Sequence, residues 1–162
     1  MSAERYSLRE VAPDAYRAMS ALERVVHDAG LPRPLLELVK MRASQLNRCA
    51  YCLDMHSKDA VALGIAPEKL FVLEAWREAP FYTERERAAL AWTEAVTLIA
   101  DRGVSDEVYQ EARARFSERE LAALTMAIVA INGWNRIAIS TRMEPGQYQS
   151  QLTPSPEAEP VP

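Results

Sequence analysis

The sequence predicts an all-α protein, a bundle of about seven helices, and two features of the chain support this. Only five glycines occur among 162 residues, and most of the ten prolines lie between stretches of helical apolar periodicity or near the carboxyl end. No segment shows the strict alternation of apolar and polar residues that is typical of a half-buried strand. With 49% apolar and 26% charged residues, the chain has the composition of a globular domain with its own core.

Each predicted helix is an apolar-periodic stretch with a recognisable start or stop signal. Thr83 and Ser117 each precede a glutamate by three residues, which is a capping box that satisfies free amides at a helix start. Gly30, Gly64 and Gly103 lie where helices are expected to end. The seven predicted helices cover residues 13–29, 34–46, 49–63, 67–77, 83–100, 105–115 and 117–142.

The pattern predicts one domain over residues 1–143, followed by a flexible tail. Residues 144–162 are rich in Pro, Gln, Ser and Glu and contain too little apolar surface to order themselves. The last predicted helix is apolar around most of its circumference, so we expect a central core helix or an oligomer interface. Polar residues interrupt it, and the sequence therefore predicts no membrane span.

Charge and compartment restrict the classes of function. The net charge is −4 with acids and bases interspersed, which argues against a nucleic-acid surface, since phosphate binding depends on clustered Lys and Arg. The amino terminus lacks the apolar core of a secretory signal, and we expect a cytoplasmic protein. In the reducing cytosol, a single C-x-x-C pair is typical of catalysis or metal binding rather than of a permanent bridge. No glycine-rich nucleotide motif occurs, so electrons for redox chemistry would come from a partner.

The candidate chemistry lies in the segment NRCAYCLDMH, residues 47–56. A helix that starts near Asn47 places Cys49 and Cys52 in or beside its first turn, where free amides and the helix dipole lower a thiol pKa. The spacing i, i+3, i+7 brings both cysteines and His56 to one helical face. The two sulfurs could then close a disulfide, and the imidazole could take and return the thiol proton.

Two further features can be interpreted in two ways. Glu37 forms a polar stripe with Lys40 and Ser44, which is typical of a solvated helix face, or it is buried with a raised pKa and passes protons to His56. An excess of basic residues surrounds the cysteines, which either stabilises a thiolate or reflects ordinary solvated surfaces. Between residues 40 and 58 the bases are Lys40, Arg42, Arg48 and Lys58, against the single acid Asp54.

The spacing E-x(11)-C-x-x-C-x-x-x-H, from Glu37 to His56, resembles the catalytic motif of the alkyl hydroperoxidase D (AhpD) family within the carboxymuconolactone decarboxylase superfamily. The stretch INGWNRIAISTRM, residues 131–143, is similar to the closing helix of peroxidase-related members. The likeness covers most of residues 30–143. It implies an AhpD-like helical bundle that assembles as a homo-oligomer, either a trimer or a hexamer.

The resemblance implies a thiol-dependent alkyl hydroperoxidase or disulfide reductase that acts in antioxidant defence. Cys52 would be the thiolate oxidised to a sulfenic acid, and Cys49 would supply a proton and then form the disulfide. Glu37 and His56 would form the proton relay, and a lipoyl-bearing or thioredoxin-like dithiol protein would return the electrons. Tyr51 stands where the family has a second histidine, and we expect it to pack rather than to carry protons, because tyrosine titrates near 10.

Three other interpretations remain open at this stage, although redox chemistry without a bound metal or cofactor is favoured. A structural zinc site could use both cysteines and His56, with Glu37 or His27 as the fourth ligand. The cofactor-free decarboxylase or lactone chemistry of other superfamily members is a second alternative. A helical assembly module without catalytic activity is the third.

Overall fold

The computed structural model describes residues 3–153, and this part of the chain is all-helical, as predicted. All seven predicted helices are present, and the single-turn helix α1 is additional. The predicted helix over residues 83–100 ends at Thr97, and its last residues belong to a separate single-turn helix, α7. Gly30, Gly64 and Gly103 follow helix ends, as expected. The helices are α1 (Leu8–Val11), α2 (Pro13–Asp28), α3 (Arg33–Asn47), α4 (Ala50–Ala62), α5 (Pro67–Phe71), α6 (Glu84–Thr97), α7 (Ile99–Arg102), α8 (Asp106–Arg115) and α9 (Glu118–Thr141).

The fourth predicted helix, residues 67–77, is shorter than the sequence suggested. The helix, α5, ends at Phe71, and the chain continues as a 3₁₀ turn over Leu73–Ala75. Leu70, Leu73 and Trp76 are spaced three residues apart and are buried in one apolar cluster. Since a 3₁₀ turn has three residues per turn, it keeps side chains with this spacing in line, whereas an α-helix offsets each one by about 60° from the one before.

Capping boxes define the starts of α6 and α9, as predicted. The Thr83 hydroxyl accepts a bond from the Glu86 amide, and the Glu86 carboxylate accepts one from the Thr83 amide at 2.8 Å. Ser117 and Glu120 repeat this arrangement at the start of α9, with the Ser117 amide donating at 2.8 Å. Both helices pack against α3, so these caps position two walls of the core.

Helices α3 and α9 form the centre of the bundle. Ten consecutive residues of α3, from Leu35 to Ser44, are buried, and α4, α6 and α9 all pack against this helix. Leu124, Ile128 and Ile131 of α9 are fully buried, which confirms α9 as a core helix. Helix α9 is long and apolar enough to cross a membrane, but a buried core helix meets the same criteria of length and composition.

A partly buried ion cluster joins α3, α6 and the 3₁₀ turn. The Glu94 carboxylate on α6 accepts bonds from Arg42 Nε at 2.8 Å and Trp76 Nε1 at 2.8 Å, and Arg77 lies 2.7 Å away. Burial raises the pKa of Glu94. The bonds from Trp76 and Arg77 and the charge of Arg42 lower it by more, so the pKa is below its ordinary value. Glu94 is therefore a carboxylate at neutral pH and pairs with the Arg42 guanidinium.

Residues 144–153 differ from the flexible tail that the composition predicts for 144–162. They lie as an extended strap against α4, which we call the C-terminal strap, and residues 154–162 lie outside the described residues. Composition misses the strap because polar partners on α4, not apolar surface, hold it in place. Its hydrogen bonds run from Gly146 N to Asp54 Oδ2 (3.0 Å), from Lys58 Nζ to Tyr148 O (2.9 Å) and from Tyr148 Oη to Asp59 Oδ1 (2.8 Å).

We expect Glu94→Leu to lower the free energy of unfolding by about 3–5 kcal/mol at neutral pH, because it leaves the buried Arg42 guanidinium without its partner. Since the folded-state pKa of Glu94 is depressed, this contribution is lost as the pH falls through that pKa. Urea denaturation measures both effects. The control Glu118→Gln alters an exposed carboxylate and should change stability by less than about 0.5 kcal/mol. Equal losses in the two variants would contradict the role of this cluster.

Candidate active site

The site is built on the tight connection between α3 and α4. Arg48 ends α3 in the left-handed conformation, with φ 57°, which costs a non-glycine residue about 1 kcal/mol. The Cys49 amide donates to Ser44 O at 3.0 Å and fixes the reversal of the chain. Cys49 becomes the N-cap of α4, and Cys52 lies in the first turn, as predicted.

The two sulfurs lie together in an almost dry environment. Cys49 and Cys52 are each 1% exposed, their Sγ atoms are 2.7 Å apart, and no disulfide joins them. Apolar side chains from α3 and α9 surround them, including Ala43 and Ile131. Since little water can solvate a charge here, the proton between the sulfurs and the nearby amides determine where negative charge rests.

The pKa shifts favour one proton shared by the two sulfurs, with the negative charge on Cys49. The hydrogen bond from the Cys52 thiol lowers the pKa of Cys49 to about 7; burial opposes this, while the amides of Cys52 and Tyr51 and the side chain of Asn135 support it. The same bond and burial raise the pKa of Cys52. The resemblance assigns the thiolate to Cys52, and the two descriptions differ by the transfer of one proton between neighbouring sulfurs.

Asn135 on α9 is a site residue that the sequence reasoning did not identify. It is fully buried, its Nδ2 donates to Ser44 Oγ at 3.0 Å, and its Oδ1 accepts from Asn47 Nδ2 at 2.8 Å. These bonds attach the end of α3 to α9 and hold the side-chain amide beside the sulfurs. The available signal was an Asn within the apolar core helix, because a buried amide requires partners.

His56 and Glu37 form a buried hydrogen-bonded pair. They are 4% and 3% exposed, and His56 Nδ1 lies 2.7 Å from Glu37 Oε2. A neutral imidazole that donates from Nδ1 to the carboxylate keeps its Nε2 as a free base. The two residues come from α3 and α4, so the packing of these helices holds the ring in place.

The interpretation of Glu37 as part of a solvated helix face is wrong, because Glu37, Lys40 and Ser44 are all buried. The expected raised pKa is also wrong. Burial raises the pKa of Glu37, but the hydrogen bond with His56 and the charges of His56, Lys40 and His27 lower it below the ordinary value. Glu37 is therefore a carboxylate at neutral pH, suited to orienting His56 rather than to carrying a proton.

The basic residues around the cysteines are largely neutralised. Three of the four take part in ion pairs, and Arg48 is exposed. The local amides and the shared proton, not an excess of basic residues, therefore account for the low pKa of the pair. The ion pairs are Lys40 with Glu23 (2.8 Å), Arg42 with Glu94 (2.8 Å) and Lys58 with Asp54 (2.9 Å).

A cavity of about 360 Å³ opens beside this cluster. Cys52, His56 and Glu37 line it, whereas Cys49 lies behind Cys52 and does not. Tyr51 also lines the cavity and packs against the apolar cluster around the sulfurs, as expected. Burial, followed by the charge of Cys52, raises the pKa of Tyr51, so its phenol stays protonated at neutral pH. Of the two sulfurs, Cys52 is the one that a molecule in the cavity can reach.

The residues that could hold a metal ion differ from those that the sequence suggested. Glu37, His56 and Asp59 bring one donor atom each to within 4.8 Å of one another, and all three are buried. Among the described residues, neither sulfur joins this group, so the arrangement is not the zinc site considered from the sequence. Asp59 lies one turn after His56 on α4, a spacing that the sequence reasoning did not use.

Comparisons with known proteins place this chain in a family. The family model for "Carboxymuconolactone decarboxylase family" matches residues 13–95, which include all of α3 and α4. The uncharacterized protein YdfG of Bacillus subtilis is 39% identical over 137 residues, which cover 85% of this chain and 93% of that protein.

Two solved structures show how far the fold extends. ATU0492 from Agrobacterium tumefaciens, a protein of unknown function described as an AhpD antioxidant defence protein, is 41% identical with a TM-score of 0.87, covering 90% of this chain and all of that one. The debrominase Bmp8 is 23% identical with a TM-score of 0.75, over 83% of this chain and 73% of that chain. At this identity the similarity shows only that the two proteins share a fold. The chain belongs to the carboxymuconolactone decarboxylase family, as one of its AhpD-like members.

Proposed function

We propose that this protein is a thiol-dependent hydroperoxidase that acts in antioxidant defence, with Cys52, Cys49, His56 and Glu37 as its active residues. One observation carries the proposal. Two buried sulfurs lie 2.7 Å apart, and Cys52 lines a cavity together with a hydrogen-bonded His–Glu pair. A helical assembly module has no need of such an arrangement, and the cofactor-free decarboxylase alternative leaves the sulfur pair without a role.

The first step oxidises Cys52. His56 first takes one proton from the two thiols, so that one proton remains between the sulfurs. The remaining proton moves from Cys52 to Cys49, and the Cys52 thiolate attacks the terminal oxygen of the hydroperoxide. An S–O bond forms while the O–O bond breaks, so that Cys52 becomes a sulfenic acid. The leaving alkoxide takes the proton from Cys49 and departs as an alcohol.

The second step closes the disulfide and releases water. The Cys49 thiolate attacks the Cys52 sulfur, the S–S bond forms, and the S–O bond breaks. The departing hydroxide takes the proton from His56, whose imidazolium form the Glu37 carboxylate stabilises. Two electrons have then passed from sulfur to the peroxide. A lipoyl-bearing or thioredoxin-like dithiol returns two electrons and two protons and is itself oxidised to a disulfide.

The surroundings of the reaction follow from its chemistry. A spent disulfide needs a dithiol reductant, which supports a reducing compartment such as the cytoplasm.

Helix α9 exposes Met126, Val129 and Ile139 on the side away from the core, which supports assembly into a homo-oligomer, a trimer or a hexamer.

The pH dependence of thiolate formation tests the shared proton. Because the pKa of Cys49 is lowered to about 7, the ultraviolet absorbance of the thiolate and the rate of peroxide reduction should both rise with pH through about 7. Asn135→Ala removes an amide that stabilises the thiolate and should move the midpoint upward. Ser140→Ala, an exposed residue near the end of α9, should leave it unchanged. A wild-type midpoint at the ordinary thiol value of about 8.5 would be incompatible with the shared proton.

The sulfur roles are tested by single substitutions. We expect Cys52→Ser to abolish consumption of an organic hydroperoxide, and Cys49→Ser to permit one turnover that stops at a sulfenic acid on Cys52. A dimedone adduct located by mass spectrometry identifies the oxidised residue. Ser57→Ala on the same helix is the control and should keep wild-type turnover. Full turnover by the Cys52 variant would sink the proposal, and a sulfenic acid on Cys49 would reverse the two roles.

The proton relay is tested by single-turnover kinetics. His56→Ala should slow formation of the disulfide by about 10²–10⁴-fold, because the general acid that protonates the departing hydroxide is lost. Glu37→Gln should slow it less, since glutamine keeps the hydrogen bond but cannot stabilise the imidazolium. Glu68→Gln, an exposed carboxylate on α5, is the matched control. If His56→Ala retains the wild-type rate, the imidazole takes no part in proton transfer.

A further inference from the structure

The cavity has a second polar end that the proposed chemistry does not use. Glu23 and His27 from α2, with Arg33 and Lys40 from α3, line the same cavity as Cys52. Arg33 is the first residue of α3 and lies one turn before Glu37, about 6 Å along the helix axis. The cavity therefore runs from the sulfur and imidazole to a group of basic side chains.

Only part of the positive charge at this end is compensated. Lys40 Nζ lies 2.8 Å from Glu23 Oε2, and this buried pair neutralises itself. Arg33 is exposed, and it forms no hydrogen bond or ion pair with the part of the chain that the structure describes. The guanidinium at the cavity wall thus remains available for a planar, bidentate anion such as a carboxylate.

His27 provides a second, independent sign of a missing ligand at this end. Its Nδ1 atom is buried and has no hydrogen-bond partner among residues 3–153, while its Nε2 atom lies 3.6 Å from Glu23 Oε2. Burial, followed by the charge of Lys40, lowers the pKa of His27, so the ring is neutral before a ligand binds. A buried polar nitrogen without a partner is costly, and a turn of the ring toward the cavity would let Nδ1, as a donor, bond to an oxygen of a bound acid group.

The wall between the two ends is mainly apolar. Tyr16 and Trp134 meet edge to face with ring centroids 5.6 Å apart, and the C-terminal strap adds Leu152 to this wall. A cavity of about 360 Å³ is far larger than hydrogen peroxide needs, since a water molecule occupies about 30 Å³ of liquid volume. The size and lining fit an organic body placed between the reacting group and the acid group.

We propose that the cavity binds an organic hydroperoxide that carries a carboxylate, with Arg33 and His27 holding the carboxylate while the peroxide group reaches Cys52. This inference rests on the proposed hydroperoxidase function and specifies its substrate class. The apolar body lies against Tyr16 and Trp134. Arg33 and His27 are then specificity residues, and they take no part in the transfer of electrons or protons.

The test compares cumene hydroperoxide bearing a ring carboxylate with the methyl ester of the same compound. Wild-type protein should show a KM about tenfold lower for the acid, and Arg33→Gln should remove this difference with kcat nearly unchanged, since one charge-assisted bond is worth about tenfold or more. Arg24→Gln, an exposed arginine on α2 outside the cavity, is the control and should keep the preference. Equal KM values for acid and ester in wild-type protein would overturn the inference and leave the hydroperoxidase function intact.

A binding measurement keeps the inference testable if neither hydroperoxide is consumed. The corresponding alcohols, one with the carboxylate and one with the ester, are titrated into wild-type and Arg33→Gln protein by calorimetry. Tighter binding of the acid that is lost in the variant supports the anion site, whatever the reaction. Equal binding of the two alcohols overturns it, whereas absence of turnover alone counts against the hydroperoxidase function.

Discussion

One proton shared by two buried sulfurs is the interaction on which this site depends. At 2.7 Å and almost out of contact with water, Cys49 and Cys52 can hold a single negative charge only because the proton and the first amides of α4 stabilise it. A cysteine needs the thiolate form to attack, and this arrangement supplies it near neutral pH without an excess of basic residues. The turn at Arg48 is therefore essential, since it makes Cys49 the N-cap of α4.

A buried polar layer next to the sulfurs constrains the rest of the core. Glu37 and Lys40 lie on the inner face of α3, where an unpaired charge would be costly, and each is paired across to another helix. The pairing of Glu37 with His56 joins α3 to α4, and that of Lys40 with Glu23 joins α3 to α2. The chemistry and the packing of the bundle thus depend on the same contacts, and a change in one alters the other.

The sequence predicted the parts of the fold that depend on local signals. Apolar periodicity and the capping boxes at Thr83 and Ser117 located the helices, and the C-x-x-C spacing placed both cysteines at a helix start. It could not show that the face bearing Glu37 is buried, because a polar stripe at helical spacing has the same pattern inside and outside a bundle. Asn135, Asp59 and the C-terminal strap depend on contacts between distant segments, which periodicity does not record.

The central claim is that the sulfur pair reduces a peroxide at the expense of its own thiols. The most direct measurement mixes fully reduced protein with one equivalent of an organic hydroperoxide, without any reductant, and maps the products by mass spectrometry. The account predicts an intramolecular Cys49–Cys52 disulfide together with an equal amount of the alcohol. Two free thiols beside unreacted hydroperoxide would contradict it.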